Sequence, residues 1–303
     1  DPDFKGIPAD KEYLWGGETP YYEMATGRAI EAIGKAVSGL RPVEVGVGHA
    51  VRDDLAFNRR GIMRNGQACM PWFFSSQQHP LGATHLSDLE GPADPEVGVM
   101  AFRAENGEFV SFLLHHTCHP VNVFATEYYA VSSDWPGTWA EGMRKRYGSP
   151  CVPIVVNGCC GNINPWPPFV PDFKPDHRRM GAALTDSATA VVDRMDFAAV
   201  DRLAYRRSVV DIPLKPTHAE RVGRAREMLA EHPQPLWLKD RPEIVDPAWF
   251  QAASIMSVEL MRKRGPCLAY EVQVFGIGDT AVVGLPGEPF VEGQLVIKVG
   301  AGL

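Results

Sequence analysis

The sequence lacks most of the patterns that assign a chain to a functional class at once. No apolar run approaches the roughly 18–20 residues that a membrane-spanning helix needs, so we predict no membrane span. There is no run of Lys and Arg, and the net charge of −7 argues against a nucleic-acid partner. Internal repeats, low-complexity segments, an HExxH zinc signature and a GKS or GKT phosphate-binding element are also missing. A hydrophobic content of 45% with 22% charged residues is ordinary for a globular enzyme or binding module.

Cysteine patterning excludes two further classes. The six cysteines contain no CxxC pair, so neither a zinc knuckle nor a disulfide scaffold is indicated, and the adjacent Cys159 and Cys160 are expected to be free buried thiols. This usage favours the cytoplasm, although a secreted or periplasmic location stays open if a signal peptide was lost. The chain begins with Asp1 rather than Met and stops at Leu303, just after the start of a predicted helix. We therefore expect a fragment, a single domain over 1–303 truncated at both ends.

Helical and strand patterns interleave along the chain. Two pairs of predicted strands are joined by short hairpin turns, one of them the Asn-Gly turn ENGE. The expected fold class is therefore mixed α/β (α+β), with mixed β-sheets packed with helices. Residues 215–264 form two helical patterns around a proline-rich link and are interpreted as a helical insertion or cap.

Two strands are followed directly by polar, ligand-capable residues. The first apolar strand leads into His115, His116, Cys118 and His119, and Pro120 ends it. The second is PIVV, and it leads into NGCCGNINP. α/β folds commonly build sites at such strand ends, so we place the candidate site here.

Two residues are candidate metal ligands. His119 lies where its strand ends, and neutral imidazole is the commonest protein ligand for metals. Glu288 follows another apolar strand, within LPGEPF, and opens a helix. On spacing alone, the simpler alternatives are favoured: a hydrogen-bonded histidine at a strand end and an ordinary N-terminal helix charge.

The turn after the second strand carries the candidate catalytic amides. Its glycines allow backbone amides to approach a ligand, which makes Gly161 a substrate-binding candidate, and Asn162 and Asn164 could orient a carbonyl or an oxyanion. An ordinary Asn/Gly turn is the alternative. The sequence does not choose between them.

Four further residues are candidates on residue type: Arg59 for catalysis, and Asn58, Arg60 and Asp134 for substrate binding. Asn58, Arg59 and Arg60 lie in one polar loop, and arginine suits recognition of a carboxylate, phosphate or sugar oxygen; a solvated basic loop is the alternative. Asp134 in SSDWPG is either a helix cap or a partner of a ligand histidine, and the cap is favoured.

Taken in order, these segments resemble the catalytic N-terminal domain of the neutral/alkaline non-lysosomal ceramidase family. No single motif is specific, but the ordered set covers nearly the whole chain. The matching segments are LRPVEVGVG, NRR, GPADPEVGV, CHPVN, SSDWPG, NGCCGNINP and LPGEPFVEG.

The resemblance implies a zinc site. In the family, two histidines, a glutamate and a tyrosine hold one Zn²⁺; His119 matches the His-Pro histidine and Glu288 the Pro-Gly-Glu glutamate. The other histidine belongs to a Thr-His-x-His-Ser-Gly-Pro segment expected before Asp1, and the tyrosine is expected after Leu303. The zinc site is thus expected to be incomplete in this chain.

One departure from the family bears on function. The family's Gly-Asp-Val-Ser-Pro-Asn motif carries a catalytic serine, whereas this chain has Asn164 at the serine position and Asn162 at the aspartate position. An amide can donate to an oxyanion but cannot act as an alkoxide nucleophile. Ceramide itself is therefore in doubt as the substrate.

The leading hypothesis is a zinc-dependent hydrolase. Zinc-activated water cleaves an amide or ester of a small acylated substrate, a lipid or sugar amide, while Arg59 holds a polar substrate group. The alternatives are a carbohydrate-active esterase, deacylase or lyase on the same scaffold, and a non-catalytic binding homologue. The oligomeric state is left open.

Overall fold

The computed structural model describes residues 19–66, 68–69, 86–127, 130–168, 170, 173–240 and 244–301. It divides into two compact units, one containing the described residues up to Leu40 together with Arg207–Val272, the other containing Arg41–Arg206 and Gln273–Leu303. The predicted single-domain organisation stays a prediction. Within the described ranges, no helix is both long and apolar enough to cross a bilayer.

The larger unit is built on a five-stranded sheet with strand order β10-β1-β6-β7-β8. Neighbours are antiparallel except β7 and β8, which are parallel. The strands are β1 (Val43–Val51), β6 (Glu96–Ala104), β7 (Phe109–His116), β8 (Val152–Asn157) and β10 (Ala198–Ala199).

The parallel pair results from a helical crossover. After β7 the chain forms α2 (Asn122–Thr126) and α3 (Asp134–Tyr147), and it then returns as β8, with Ser111 paired to Val152 and His116 to Asn157. Parallel strands require such a connection, whereas β6 and β7 are joined by the predicted tight turn at Asn106-Gly107. The carboxyl ends of β7 and β8 therefore lie side by side.

The core of this unit lies between the sheet and two helices. α3 and α4 (His177–Val192) pack on one face of the sheet. Because side chains alternate across a strand, Phe112, Leu114 and His116 all point into this core and are fully buried. Asp176 caps α4 by accepting hydrogen bonds from the amides of Arg178 and Arg179.

Short strands complete the larger unit around the sheet. β2 pairs with β9, and β3 pairs with β4 and β5. These strands are β2 (Phe57–Asn58), β3 (Gly61–Met63), β4 (Ala68–Cys69), β5 (Leu86–Leu89) and β9 (Ile163–Asn164).

A further sheet has the order β11-β12-β13, formed by β11 (Leu203–Pro213), β12 (Cys267–Ile277) and β13 (Thr280–Gly284).

Helix α7 (Val291–Gly300) follows β13 and is anchored by polar contacts. The side-chain carbonyl of Gln294 accepts from the Cys159 amide at 2.7 Å, and its amide group donates to Thr117 at 2.7 Å. Lys298 forms an ion pair with the buried Asp94 at 2.7 Å. These contacts fix the chain that follows Glu288 to the ends of β7 and β8.

The smaller unit contains three helices: α1 (Thr19–Ser38), α5 (Ala219–Glu231) and α6 (Pro247–Arg264). α5 and α6 pack together around a core of their own, formed by Ala225, Leu229, Trp249, Ala252 and Met256. Asp246 caps α6, with Pro247 in its first turn. The region 215–264, predicted as a helical insertion, contains these two helices.

The mixed α+β fold class predicted from the sequence is confirmed. Two of the sheets have the predicted hairpins, and one of them combines parallel and antiparallel neighbours. Helices pack on the central sheet as expected.

Candidate active site

The candidate site lies where β7 and β8 end together. The Gly158 amide donates to the His116 carbonyl at 3.2 Å, which joins the segments that leave the two strands. One segment continues to His119, and the other forms the turn Cys160–Asn164. The strand ends named from the sequence are thus brought together.

His119 is held by the carbonyl of Ile163. Its backbone amide donates to this oxygen at 3.2 Å, and its ring Nδ1 lies 3.0 Å from the same oxygen. A carbonyl oxygen can only accept, so Nδ1 carries a proton. Trp135 adds a third contact, donating from its indole nitrogen to the His119 carbonyl at 3.4 Å.

The other ring nitrogen of His119 faces Glu288. Nε2 lies 3.3 Å from the Glu288 Oε2, with the imidazole largely buried and the carboxylate exposed. With Nδ1 donating to the carbonyl, Nε2 is the ring nitrogen left to face the carboxylate. Histidines that bind metals commonly bond their other ring nitrogen to a carbonyl in this way.

The pair has no further partner of ligand type in the described ranges. No group of three or more His, Cys, Asp and Glu side chains is placed there to share a metal ion. His116 is fully buried, with its ring edge against Trp135, and burial lowers its pKa to about 4. Within the described ranges, His115 and His116 thus form no such group with His119 and Glu288.

Arg59 lies over the turn that carries the two asparagines. β2 and β9 pair Phe57 with Asn164, which brings the next residues of the loop onto the turn. The Arg59 amide donates to the Asn162 carbonyl at 2.7 Å, and its guanidinium donates to the Gly161 carbonyl at 2.7 Å and to the Asn164 side chain at 3.5 Å.

The charge of Arg59 is left uncompensated by direct contact. Burial lowers the pKa of its guanidinium, and the negative charge of Glu288 opposes that shift. Among the described residues, no carboxylate forms an ion pair with it. A partly buried cation of this kind suits an anionic or strongly polar ligand group.

The neighbouring residues Asn58 and Arg60 serve the loop itself. Asn58 is buried; its side chain donates to the Pro92 carbonyl at 2.9 Å and accepts from the Arg60 amide at 3.0 Å. Arg60 forms an ion pair with Glu90, whose pKa it lowers, and lies over the Phe290 ring at 5.3 Å. Their predicted role in substrate binding stays a prediction.

The two asparagines have different surroundings. Asn164 is buried, and its side-chain oxygen accepts from Arg59 at 3.5 Å, while its role in binding an oxyanion stays a prediction. Asn162 is fully buried and bonds instead to the first residues of α7, accepting from Val291 and donating to Glu292. Glu292 was not a candidate from the sequence, where a glutamate four residues after Glu288 resembles an ordinary first-turn charge.

Gly161 lies against the Glu288 segment. Its amide donates to the Pro289 carbonyl at 3.0 Å, and a side chain at this position would collide with the Glu288 carbonyl. Only glycine allows this approach. Gly161 therefore acts in the assembly of the site.

Asp134 is buried at the junction of α2 and α3. Its carboxylate accepts from the Asn122 side chain at 3.0 Å and from the amides of Val123 and Trp135, each at 2.7 Å. Its φ of +51° lies in the left-handed region, which Asp tolerates better than most residues. It thus bonds to first-turn amides of both helices and contacts the site through Trp135, while its role in substrate binding stays a prediction.

The thiols near the turn are poor nucleophiles. Burial raises the pKa of Cys160 to about 11, with Glu288 adding to the shift, and burial raises the pKa values of Cys118 and Cys159 as well. The nucleophilic form of cysteine is the thiolate. These cysteines are free and protonated near neutral pH.

Solved structures share this arrangement of helices and strands. The neutral ceramidase of Pseudomonas aeruginosa matches with a TM-score of 0.55 and 17% identity, over 89% of this chain and 44% of that one. The chain is therefore similar in fold to the matched part of that ceramidase. A second ceramidase structure, complexed with C2, matches with a TM-score of 0.52 and 16% identity, over 88% of this chain and 46% of that one.

The ceramidase resemblance inferred from the ordered motifs is thus confirmed at the level of the fold. The chain spans less than half the length of each of these ceramidases. No protein-family profile and no curated protein matches the chain.

Proposed function

We propose that this chain forms the catalytic region of a ceramidase-like, zinc-dependent hydrolase that cleaves an amide or ester bond of a small acylated substrate. The observation that carries the proposal is the pair formed by His119 and Glu288, whose ligand-type atoms face each other at 3.3 Å. The neutral ceramidase fold supports the reaction class.

The spacing of this pair fits a shared metal ion. Two ligands about 2.0–2.1 Å from zinc in tetrahedral geometry lie roughly 3.3 Å from each other. The Ile163 carbonyl fixes the tautomer of His119 that leaves Nε2 free to bind. His119 and Glu288 would hold the ion, which would lower the pKa of a coordinated water to about 7 and would polarise a carbonyl.

The surrounding residues assign the remaining roles. Asn164 offers an amide and the nearby cysteines are protonated, so the turn Cys160–Asn164 supplies no nucleophile and water is the attacking group. Arg59 and Asn164 lie together, where they orient the substrate carbonyl and stabilise the negative charge that develops on its oxygen.

A polar acylated substrate is favoured over ceramide. The uncompensated guanidinium of Arg59 and the buried amide of Asn164 both suit polar groups. A carbohydrate esterase, deacylase or lyase on the same scaffold is therefore the second candidate. A non-catalytic binding protein would keep these residues without turning over the substrate.

The test is metal content followed by a substrate panel. We expect about one zinc per chain in the purified protein, and its loss in His119→Ala and Glu288→Gln. His49→Ala and Glu105→Gln, which change exposed residues of the same unit, should retain the metal. Acylated sugars and N-acyl sphingoid bases are then compared as substrates. Full zinc and full activity in His119→Ala would refute the proposal, and bound zinc without turnover of any acyl compound would favour the binding protein.

A further inference from the structure

Asn162 connects the turn of the candidate site to helix α7. Its side-chain oxygen accepts from the Val291 amide at 3.0 Å. Its side-chain nitrogen donates to the Glu292 carboxylate, at 3.0 Å to one oxygen and 3.3 Å to the other. Both ends of the amide are thus occupied within the protein, and the side chain is fully buried. The side chain is therefore engaged with α7 and not directed at a substrate.

The same turn also holds the two residues of the proposed metal pair. On one side, the Ile163 carbonyl accepts from the His119 backbone amide and ring nitrogen. On the other, the Gly161 amide donates to the Pro289 carbonyl, one residue after Glu288. Asn162 lies between these contacts. The turn 161–163 therefore sets the separation between the His119 ring and the Glu288 segment.

Glu292 is fixed as closely as Asn162. Its carboxylate lies against Gly91, where a side chain would collide with Oε1 and approach the Asn58 amide to 3.2 Å. This close approach leaves little room for the Glu292 carboxylate to turn away from Asn162. A substitution at position 162 should therefore displace the start of α7 and the residues that precede it.

Charge explains why position 162 holds an amide. A carboxylate here would face the Glu292 carboxylate at about 3 Å in a partly buried setting, where like charges repel. The neutral amide instead donates to that carboxylate, so the asparagine is matched to Glu292 in charge and in hydrogen bonding.

We propose that Asn162 is a positioning residue, which together with Glu292 holds the Glu288 segment in register with His119. This assignment replaces the catalytic role considered for Asn162 from the sequence. It rests on the proposed function only in taking Glu288 as a metal ligand.

The test is a double-mutant cycle with Asn162→Asp, Glu292→Gln and the combined variant. The combined variant exchanges amide and carboxylate, so that the carboxylate introduced at position 162 still accepts from Val291 and the amide introduced at position 292 donates to it. Zinc affinity is measured by competition with a chromophoric chelator. The kinetic constants kcat and KM are measured on the best substrate of the panel. We expect Asn162→Asp to weaken zinc binding and to lower kcat, each by about tenfold or more. Glu292→Gln should change zinc affinity and kcat by less than about threefold. In the combined variant, zinc affinity and kcat should recover to within about threefold of the wild-type values.

A control separates positioning from general loss of stability. Leu184→Ala creates a cavity in the core of the same unit, away from the turn, and is compared at a temperature where all variants are folded. It should bind zinc as the wild type does. Zinc binding weakened as much by Leu184→Ala as by Asn162→Asp would overturn the proposal. Failure of Glu292→Gln to restore zinc affinity and kcat in the combined variant would also overturn it, and would return Asn162 to a direct catalytic role.

Hydrogen exchange makes the test independent of the proposed function. The amides of Gly161 and Val291 should exchange faster in Asn162→Asp and recover protection in the combined variant. If the wild type binds no zinc, recovered protection still supports the pairing of Asn162 with Glu292, and unrecovered protection refutes it.

Discussion

Substitution of Gly161 by alanine tests whether the turn sets the position of Glu288. The added methyl group would lie 2.9 Å from both the Pro289 carbonyl oxygen and the Phe290 ring, and closer still to the Glu288 carbonyl oxygen. Two of these three neighbours are backbone atoms, which cannot turn aside as the end of a flexible side chain can. The Glu288 segment must therefore move as a unit.

The size of the effect follows from that displacement. Comfortable contacts between such atoms lie near 3.5 Å, so the Pro289 and Phe290 atoms must retreat by roughly 0.6 Å and the closer Glu288 carbonyl oxygen by more than about 1 Å. This movement widens the 3.3 Å separation of His119 Nε2 and Glu288 Oε2. A misplacement of about 1 Å can cost roughly 100-fold in rate, so we expect a loss of ten- to hundredfold in activity and a clear loss of zinc affinity.

Gly293→Ala is the matched control. Gly293 lies in α7, a side chain there would meet nothing within 4 Å, and alanine favours the helix by roughly 0.5–1 kcal/mol. The assays are zinc affinity, turnover of the best substrate and the midpoint of urea unfolding for both variants. Wild-type zinc affinity and turnover in Gly161→Ala would show that the turn does not set the position of Glu288.

Two further perturbations probe Arg59 and His116. Arg59→Met should lower kcat/KM by roughly 100-fold because it removes a hydrogen-bond donor at the turn. Arg60→Met breaks an ion pair near the surface and should change kcat/KM by less than about threefold. Equal effects of the two substitutions in steady-state assays would contradict the role proposed for Arg59. The pKa of His116 is about 4 in the folded protein because burial disfavours its charged form, while the unfolded chain takes up the proton near 6.5. The free energy of unfolding should therefore fall by up to roughly 3 kcal/mol as the pH drops from 6.5 to about 4. His116→Phe should remove this pH dependence, as measured by urea unfolding at each pH. An unchanged pH dependence in the variant would assign it to another group.

Local sequence patterns were enough to predict the strands that position the candidate site. The alternation in Phe109–His116, the Asn-Gly turn before it and the apolar run at Val152–Asn157 identify strands through side-chain periodicity alone. Because a helix separates the last two strands, their parallel pairing and the meeting of their carboxyl ends follow from connection rules. The neighbourhood of His119 with the turn at Asn164 was predictable for this reason.

The contacts that decide roles were not predictable from local patterns. Asn162 and Glu292 are 130 positions apart, and nothing near either residue indicates that they bond. The two-residue strands Phe57–Asn58 and Ile163–Asn164 are too short to show a period, yet they place Arg59. Tertiary packing, and not residue type, separates Arg60, which pairs with Glu90, from Arg59, which forms no ion pair among the residues that the structure describes.

The distance along the chain between His119 and Glu288 has a consequence for folding. These two residues are 169 positions apart, so their contact closes one of the long loops of the larger unit and carries a large loop-closure entropy. Strands β1, β6, β7 and β8 and helix α3 all lie within Val43–Asn157 and pair with one another without α7. We therefore expect the site to be completed after them, and an ion that bridges the two side chains would stabilise the closed loop against the open chain.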